Sequence, residues 1–294
     1  MVVSLIGVGL IGWGLLDRGA AAGRALLPAG APAGQRGAAD PAQEARVQRE
    51  RLEQQRKERE RTLTAALDAY AAKAPDFALA VVDHKNGWTY AYRGTRSFEE
   101  ASIVKVDILA ALLLQAQDKD RTLTAVERSL ARNMIRVSDN VAAQKLYEAI
   151  GEERGLAAAN KRFGLTKTVP NELCGLTRTT AQDQAKLLTS IFNEKGPLSK
   201  ESRAFLRELM GSIAADQRWG ITAAAKEAER TVLKNGWLDR DTEQGRYIVN
   251  SIGRISADGT DVSVAVLSHG HPDQPSGIAE VEKVAKLARV HLGW

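Results

Sequence analysis

Residues 102–114 read SIVKVDILAALLL, and this stretch decides the architecture. Ser102 and Lys105 are three positions apart. On a helix that spacing puts a hydroxyl and an amine on one face, one turn apart. From Ile103 to Leu114 only Lys105 and Asp107 are charged. A helix apolar on nearly all sides is a buried helix, and lysine is almost never fully buried without a partner. Burial beside polar groups lowers a lysine pKa, so Lys105 is placed to accept a proton from Ser102. The plainer alternative is that Lys105 snorkels its ammonium to solvent.

Two later motifs bear on the same chemistry. Ser138-Asp139-Asn140 precedes VAAQKLYEAIG, a short helix ended by Gly151. Ser, Asp and Asn are favoured N-cap residues, which accounts for the triplet structurally. The functional reading adds Ser138 as a hydroxyl that shuttles a proton between Lys105 and a leaving nitrogen, and Asn140 as a hydrogen-bond partner for a substrate amide. Lys234-Asn235-Gly236 has its own structural reading, because Asn-Gly is the strongest two-residue hairpin signal. The functional reading makes it a strand facing the site. There Lys234 holds a substrate carboxylate, Gly236 admits the substrate backbone, and the amides of Trp237 and Ser102 form an oxyanion hole.

The rest of the chain sets the frame. It has 294 residues, 44% hydrophobic and 26% charged, with a formal net charge of +5, enough for a real core. The basic balance suits an anionic partner, but no nucleic-acid fold motif is present, so nucleic acid is not expected as a partner. Cys174 is the single cysteine, which excludes an intrachain disulfide. The four histidines, at 84, 269, 271 and 291, form no ligand spacing, so no metal is expected. No cofactor is implied, and a monomer is expected.

The first 16 residues, MVVSLIGVGLIGWGLL, are uncharged and shorter than a full membrane span. They fit a secretory apolar region with Ala20-Ala21-Ala22 as a cleavage site, although a basic flank is missing. Residues 1–18 are therefore expected to be a signal or a membrane anchor, and the protein to be exported, extracytoplasmic, and either anchored or secreted. Residues 19–43 are an Ala/Gly/Pro linker. Residues 44–61 carry seven basic and five acidic side chains, as a solvated helix would. From Leu63, Leu67 and Tyr70 the pattern becomes amphipathic.

Next comes a hairpin: a strand over 77–83, a turn from His84 to Gly87, and a strand over 88–93. The stretch from about 102 to 228 is helical. Three late strands follow over about 230–238, 246–256 and 261–268, the last two joined at Asp258-Gly259. An amphipathic helix over about 278–292 closes the chain. The expectation is an α+β fold: a five-stranded antiparallel sheet flanked by terminal helices, with an inserted all-helical subdomain, over residues 62–294.

SxxK opening a buried helix, SDN capping a later one, and K-x-G on a late strand occur in the order seen in class A β-lactamases and penicillin-binding proteins. Over roughly 62–294 the chain resembles the class A β-lactamase-like serine hydrolases, in the divergent form exported by actinobacteria. GLTRTTAQDQAKLL (175–188), QRWGI (217–221), KNGW (234–237) and NSIG (250–253) share that resemblance.

The resemblance implies Ser102 as the acylated nucleophile and Lys105 as its base. Ser138 and Asn140 would line the site, and Lys234 and Gly236 would belong to the third motif. Three departures stand out. Asn235, which is still expected among the substrate-binding residues, replaces the usual Thr or Ser. Ser102 and Ser138 are only 36 residues apart. The loop region lacks Glu-x-x-Leu-Asn, leaving Glu172, in VPNELCG, as the nearest acid and a candidate deacylation base. An exposed loop carboxylate is the alternative reading of Glu172. The resemblance implies a β-lactam as substrate, with slow release of the acyl group. The alternatives are a D-alanyl-D-alanine peptidase acting on cell-wall peptide, and a catalytically silent, membrane-anchored domain that binds wall fragments.

Overall fold

The computed structural model describes residues 41–294. The expected leader over 1–18 and most of the linker over 19–43 lie outside the described residues. Residues 48–294 form one compact unit, and residues 41–47 are the described part of another. Among the described residues no helix is long and apolar enough to cross a membrane.

Helix α1 (Pro41–Ala71) is continuous, and only Leu63 and Leu67 in it are buried. Its docking is set by a match of repeats. The side chains of Glu60, Thr64 and Asp68, four apart, meet those of Trp88, Tyr90 and Tyr92, two apart on strand β2 (Trp88–Tyr92). Four helical residues rise about 6 Å and two strand residues about 6.6 Å, so the two ladders stay in step.

Strand β1 (Asp76–Asp83) pairs with β2. The late strands β5 (Arg230–Arg240), β6 (Arg246–Ala257) and β7 (Thr260–His271) complete one antiparallel sheet in the order β2-β1-β7-β6-β5. Ala257 pairs with Thr260, so Asp258-Gly259 is the two-residue turn, with Gly259 at φ +88°. The closing helix α8 (Gln274–Leu292) packs on β6 and β7. The architecture is the α+β fold expected, with strands one to three residues longer at several ends.

Two three-residue strands were not expected. β3 (Ser97–Glu99) and β4 (Arg178–Thr180) pair as a small ribbon. Three residues carry no measurable alternation, so nothing local announces them. Between these strands run α2 (Val104–Asp118), α3 (Ala125–Arg136), α4 (Asn140–Ile150) and α5 (Glu152–Phe163). After them come α6 (Ala181–Phe192), which packs on β1 and β7, and α7 (Lys200–Gly211). In α2, 12 of 15 residues are buried, as its uninterrupted apolar run requires. Thr124 and Glu127 close a capping box on α3.

The Asn235-Gly236 pair makes no turn. Both residues lie inside β5, opposite Ser251 and Asn250. Tertiary pairing here overrides the local hairpin signal.

Candidate active site

Ser102 lies in a single 3-10 turn, residues 101–103, that leads into α2. The turn sits against β5, the edge strand of the sheet, and its neighbour β6. Asn250 of β6 donates through Nδ2 to the carbonyls of Glu99 (2.8 Å) and Glu100 (3.0 Å). A Cβ built on Gly236 of β5 would stand 2.6 Å from the Ser102 nitrogen. Gly236 is therefore required by the turn that carries Ser102. The close approach expected there of a substrate backbone is made first by residues 100–103. Ala101, just before the nucleophile, has φ +49°, and Ser138 has φ +59°. Left-handed backbone costs a non-glycine residue about 1–2 kcal/mol, and such strain gathers at functional sites.

Lys105 is 2% exposed and does not reach solvent. Its Nζ lies 2.9 Å from Ser102 Oγ, 2.6 Å from the Ser138 carbonyl, 3.0 Å from Ser138 Oγ and 2.7 Å from Asn140 Oδ1. Two of these four oxygens, the Ser138 carbonyl and Asn140 Oδ1, can only accept. The two hydroxyls can also donate. A neutral amine can give its two hydrogens to the accept-only oxygens and turn its single lone pair to the Ser102 hydroxyl. Burial pulls the Lys105 pKa down to about 8, against smaller opposing pulls from Cys174 and Asp139. Deprotonation near neutral pH is thus within reach.

Lys234 stands on the far side of Ser138. Its Nζ donates to Ser138 Oγ (3.0 Å) and to the Asn235 carbonyl (2.7 Å), and the residue is 1% exposed. Burial, and then the nearby Lys105 charge, hold its pKa well below the ordinary lysine value. Ser138 Oγ therefore bridges two amines, and a proton can pass along that line. Asp139 caps α4 by accepting from the Ala142 amide (2.6 Å), so the capping and functional readings of 138–140 coexist.

Asn235 does not face the cleft. Its Nδ2 donates to the carbonyls of Gln217 (2.7 Å) and Trp219 (3.0 Å), which ties the 217–219 segment to β5. Strand alternation explains this, since neighbours on β5 point to opposite faces.

The open cleft has a volume of about 360 Å³. Ser102, Lys105 and Asn140 line one wall, and Leu173 to Leu176 another. Trp237, Leu238 and Arg240 complete it. A larger concavity, about 540 Å³, lies over β1, β2 and α6, away from Ser102 and Lys105.

A sequence profile described as the Beta-lactamase enzyme family matches residues 127–292, more than half of the chain. The chain belongs to that family.

Among solved structures, PBP-A superposes with a TM-score of 0.68 at 19% identity, covering 77% of this chain and 94% of that one. A β-lactamase from Sphaerobacter thermophilus superposes with 0.67 at 21% identity, covering 79% and 97%. At such identities the likeness is one of fold, and the fold is that of the class A β-lactamases. A Mycobacterium tuberculosis protein named as a lipoprotein, LppW, is 25% identical over 181 residues. That match covers 59% of this chain and spans 57% of the relative's length.

Within this β-lactamase-family site, the Glu172 side chain is exposed and is not part of the cleft wall. Cys174 takes the place nearest Lys105 on that side, and the two groups interact electrostatically. Burial pushes the thiol pKa up, against a smaller downward pull from Lys105. Among the described residues no aspartate or glutamate lines the cleft; the nearest carboxylate partner of a lining residue is Glu99, ion-paired with Arg240 at 3.0 Å. Sequence reasoning missed both Cys174 and Arg240. Arg240 had a usable signal, since it follows Gly236 by two steps of period two on the same strand face. Cys174 had none, because a loop residue has no periodicity to place it.

Proposed function

We propose that the protein is an exported serine hydrolase that is acylated at Ser102 by β-lactams or by cell-wall peptides of like chemistry, and that releases the acyl group slowly. The observation that carries the reading is the buried Lys105 amine set 2.9 Å from Ser102 Oγ, with two accept-only oxygens, the Ser138 carbonyl and Asn140 Oδ1, at 2.6 and 2.7 Å to take its protons. Lys105 takes the Ser102 proton as Oγ attacks the carbonyl carbon. The Ser102 and Trp237 amides hold the oxyanion. As the C–N bond breaks, Ser138 Oγ gives its proton to the leaving nitrogen and regains one from Lys105. Lys234, behind Ser138, acts through that hydroxyl. The substrate carboxylate then falls to Arg240, which lines the cleft and is ion-paired from behind with Glu99 (3.0 Å), and Asn140 orients the substrate amide.

Release of the acyl group needs a base for water. Among the described residues no carboxylate lines the cleft, and the Cys174 thiol is held protonated by burial. This favours penicillin-binding behaviour over fast β-lactam turnover, and a peptidase of D-alanyl-D-alanine ends is the second reading. A PBP-A variant of the same fold, 19% identical, has been solved as an acyl-enzyme with penicillin G. The name of LppW supports membrane anchoring through the N-terminal segment.

The test is incubation with a fluorescent penicillin and a chromogenic cephalosporin, with Ser102→Ala as control. A long-lived adduct that depends on Ser102 is expected. Fast turnover would overturn the slow-release reading. The absence of both adduct and turnover would overturn the enzyme reading.

A further inference from the structure

The turn that carries Ser102 is backed by two carboxyls that the acylation chemistry does not use. Glu100 is fully buried and Asp107 is 1% exposed. The two carboxyls are close enough to interact electrostatically. Gln184 of α6 donates through Nε2 to Glu100 Oε1 (3.2 Å) and Thr179 Oγ1 (3.1 Å), which leaves Glu100 Oε2 and both Asp107 oxygens without a donor in sound geometry among the described residues.

Among the described residues no cation offsets the pair. Asp183 from α6 and Cys174 from the 174–176 turn face it, and Tyr147 of α4 is within electrostatic reach of Glu100. Lys186 is paired with Asp183. Lys105, on the same helix as Asp107, directs its protons to Ser138 and Asn140. Two adjacent carboxylates in such a place cannot both be ionised without a large desolvation and repulsion cost. The physical consequence is a proton held between them, which also supplies the missing donor.

Glu100 is well placed to transmit the state of that pair. Its amide donates to the Thr177 carbonyl (2.8 Å), and its carbonyl accepts from Asn250 Nδ2 (3.0 Å) and the Ile103 amide (3.3 Å). Ala101 at φ +49° and then Ser102 follow directly. We infer that Glu100 and Asp107 are positioning residues that share a proton, and that this proton keeps the Ser102 turn seated against α6 and β6. The effect on acylation rests on the reading of Ser102 as nucleophile; the effect on stability does not.

Burial, and for Glu100 also the neighbouring Asp107, raise both carboxyl pKa values above the ordinary range. For an acid raised in the folded state, stability is present in full below the unfolded value and is lost as pH rises through the folded one. The isosteric variants Glu100→Gln and Asp107→Asn keep a donor and remove one ionisation. Thermal midpoints and Ser102 acylation by a fluorescent penicillin are measured from about pH 5.5 to 9.

The parent midpoint is expected to fall across that range and each variant to fall less. The ratio of variant to parent acylation should grow with pH, by up to about tenfold per unit. Variant and parent midpoints that run parallel with pH would overturn the inference. So would a flat parent profile, which needs no variant to fold. If midpoints behave as expected and no protein is acylated, the shared proton stands and the Ser102 reading fails.

Discussion

A methyl group added at Gly236 tests the junction between β5 and the nucleophile turn. In Gly236→Ala the new Cβ would lie 2.6 Å from the Ser102 nitrogen, 2.8 Å from the Ile103 nitrogen and 2.9 Å from the Glu100 carbonyl oxygen. Ordinary contact begins at 3.4 Å, so the turn must retreat by 3.4 − 2.6 = 0.8 Å. All three neighbours are backbone atoms, so no rotamer change relieves the clash. The turn is pinned from behind by Asn250 and Thr177, so part of the strain stays in place. Overpacking of this kind costs about 1–3 kcal/mol. At about 2–4 °C per kcal/mol for a chain of this size, the thermal midpoint should drop by about 2–12 °C.

The larger effect is on chemistry. Ser102 Oγ and Lys105 Nζ are matched at 2.9 Å, and a misplacement near 1 Å costs about 100-fold in rate. The assay is the second-order rate of adduct formation with a fluorescent penicillin, alongside a melt. A variant that acylates within about threefold of the parent and melts within about 1 °C of it would refute the spacing argument for Gly236.

Four further outcomes are expected. In Glu100→Gln, where the buried carboxyl pair no longer ionises twice, acylation should rise as pH increases through about 8, because only the neutral Lys105 amine accepts the Ser102 proton; relative to an unshifted lysine at 10.5, burial enlarges the neutral fraction at pH 7 by about 300-fold, and a rate flat from pH 6 to 9 in that variant would contradict this. Ser138→Ala removes the hydroxyl that bridges Lys105 and Lys234, and should slow acylation by about 10²–10⁴-fold while the fold is retained by circular dichroism. Cys174→Glu places a carboxylate near Lys105; it should shorten the adduct lifetime and raise the Lys105 pKa, moving the acylation profile to higher pH, and an unchanged lifetime would count against the missing-base account. Asn235→Ala removes the donor to the Gln217 and Trp219 carbonyls and should cost about 1–3 kcal/mol in a denaturant melt, since it leaves buried acceptors unpaired.

The strong periodic signals were legible in advance. The apolar run of α2, the β-branched and apolar stretches of β1, β6 and β7, the Asp258-Gly259 turn and the Gly151 stop each follow from local sequence. Ser102, Lys105, Ser138 and Asn140 were identifiable because their spacing fits helix starts and because a lysine amid leucines needs a reason. The short ribbon of β3 and β4 was not legible, since three residues have no period. Asn235 was expected at the substrate and lies instead behind β5, a choice set by strand pairing. Lys234 was expected to touch substrate; its buried amine donates to Ser138 Oγ, a contact no local pattern announces.

What sequence by itself determined was the set of chemical groups and the elements that carry them, because helix and strand periods are local properties. Tertiary structure alone decided which groups meet. It set Lys105 against four oxygens drawn from the nucleophile turn and residues 138–140, and put Cys174 in the cleft wall while Glu172 stayed outside. It also closed Glu100 and Asp107 into a pair without a cation among the described residues. Such contacts depend on how distant segments pack, and protonation follows the resulting burial, which no local pattern encodes.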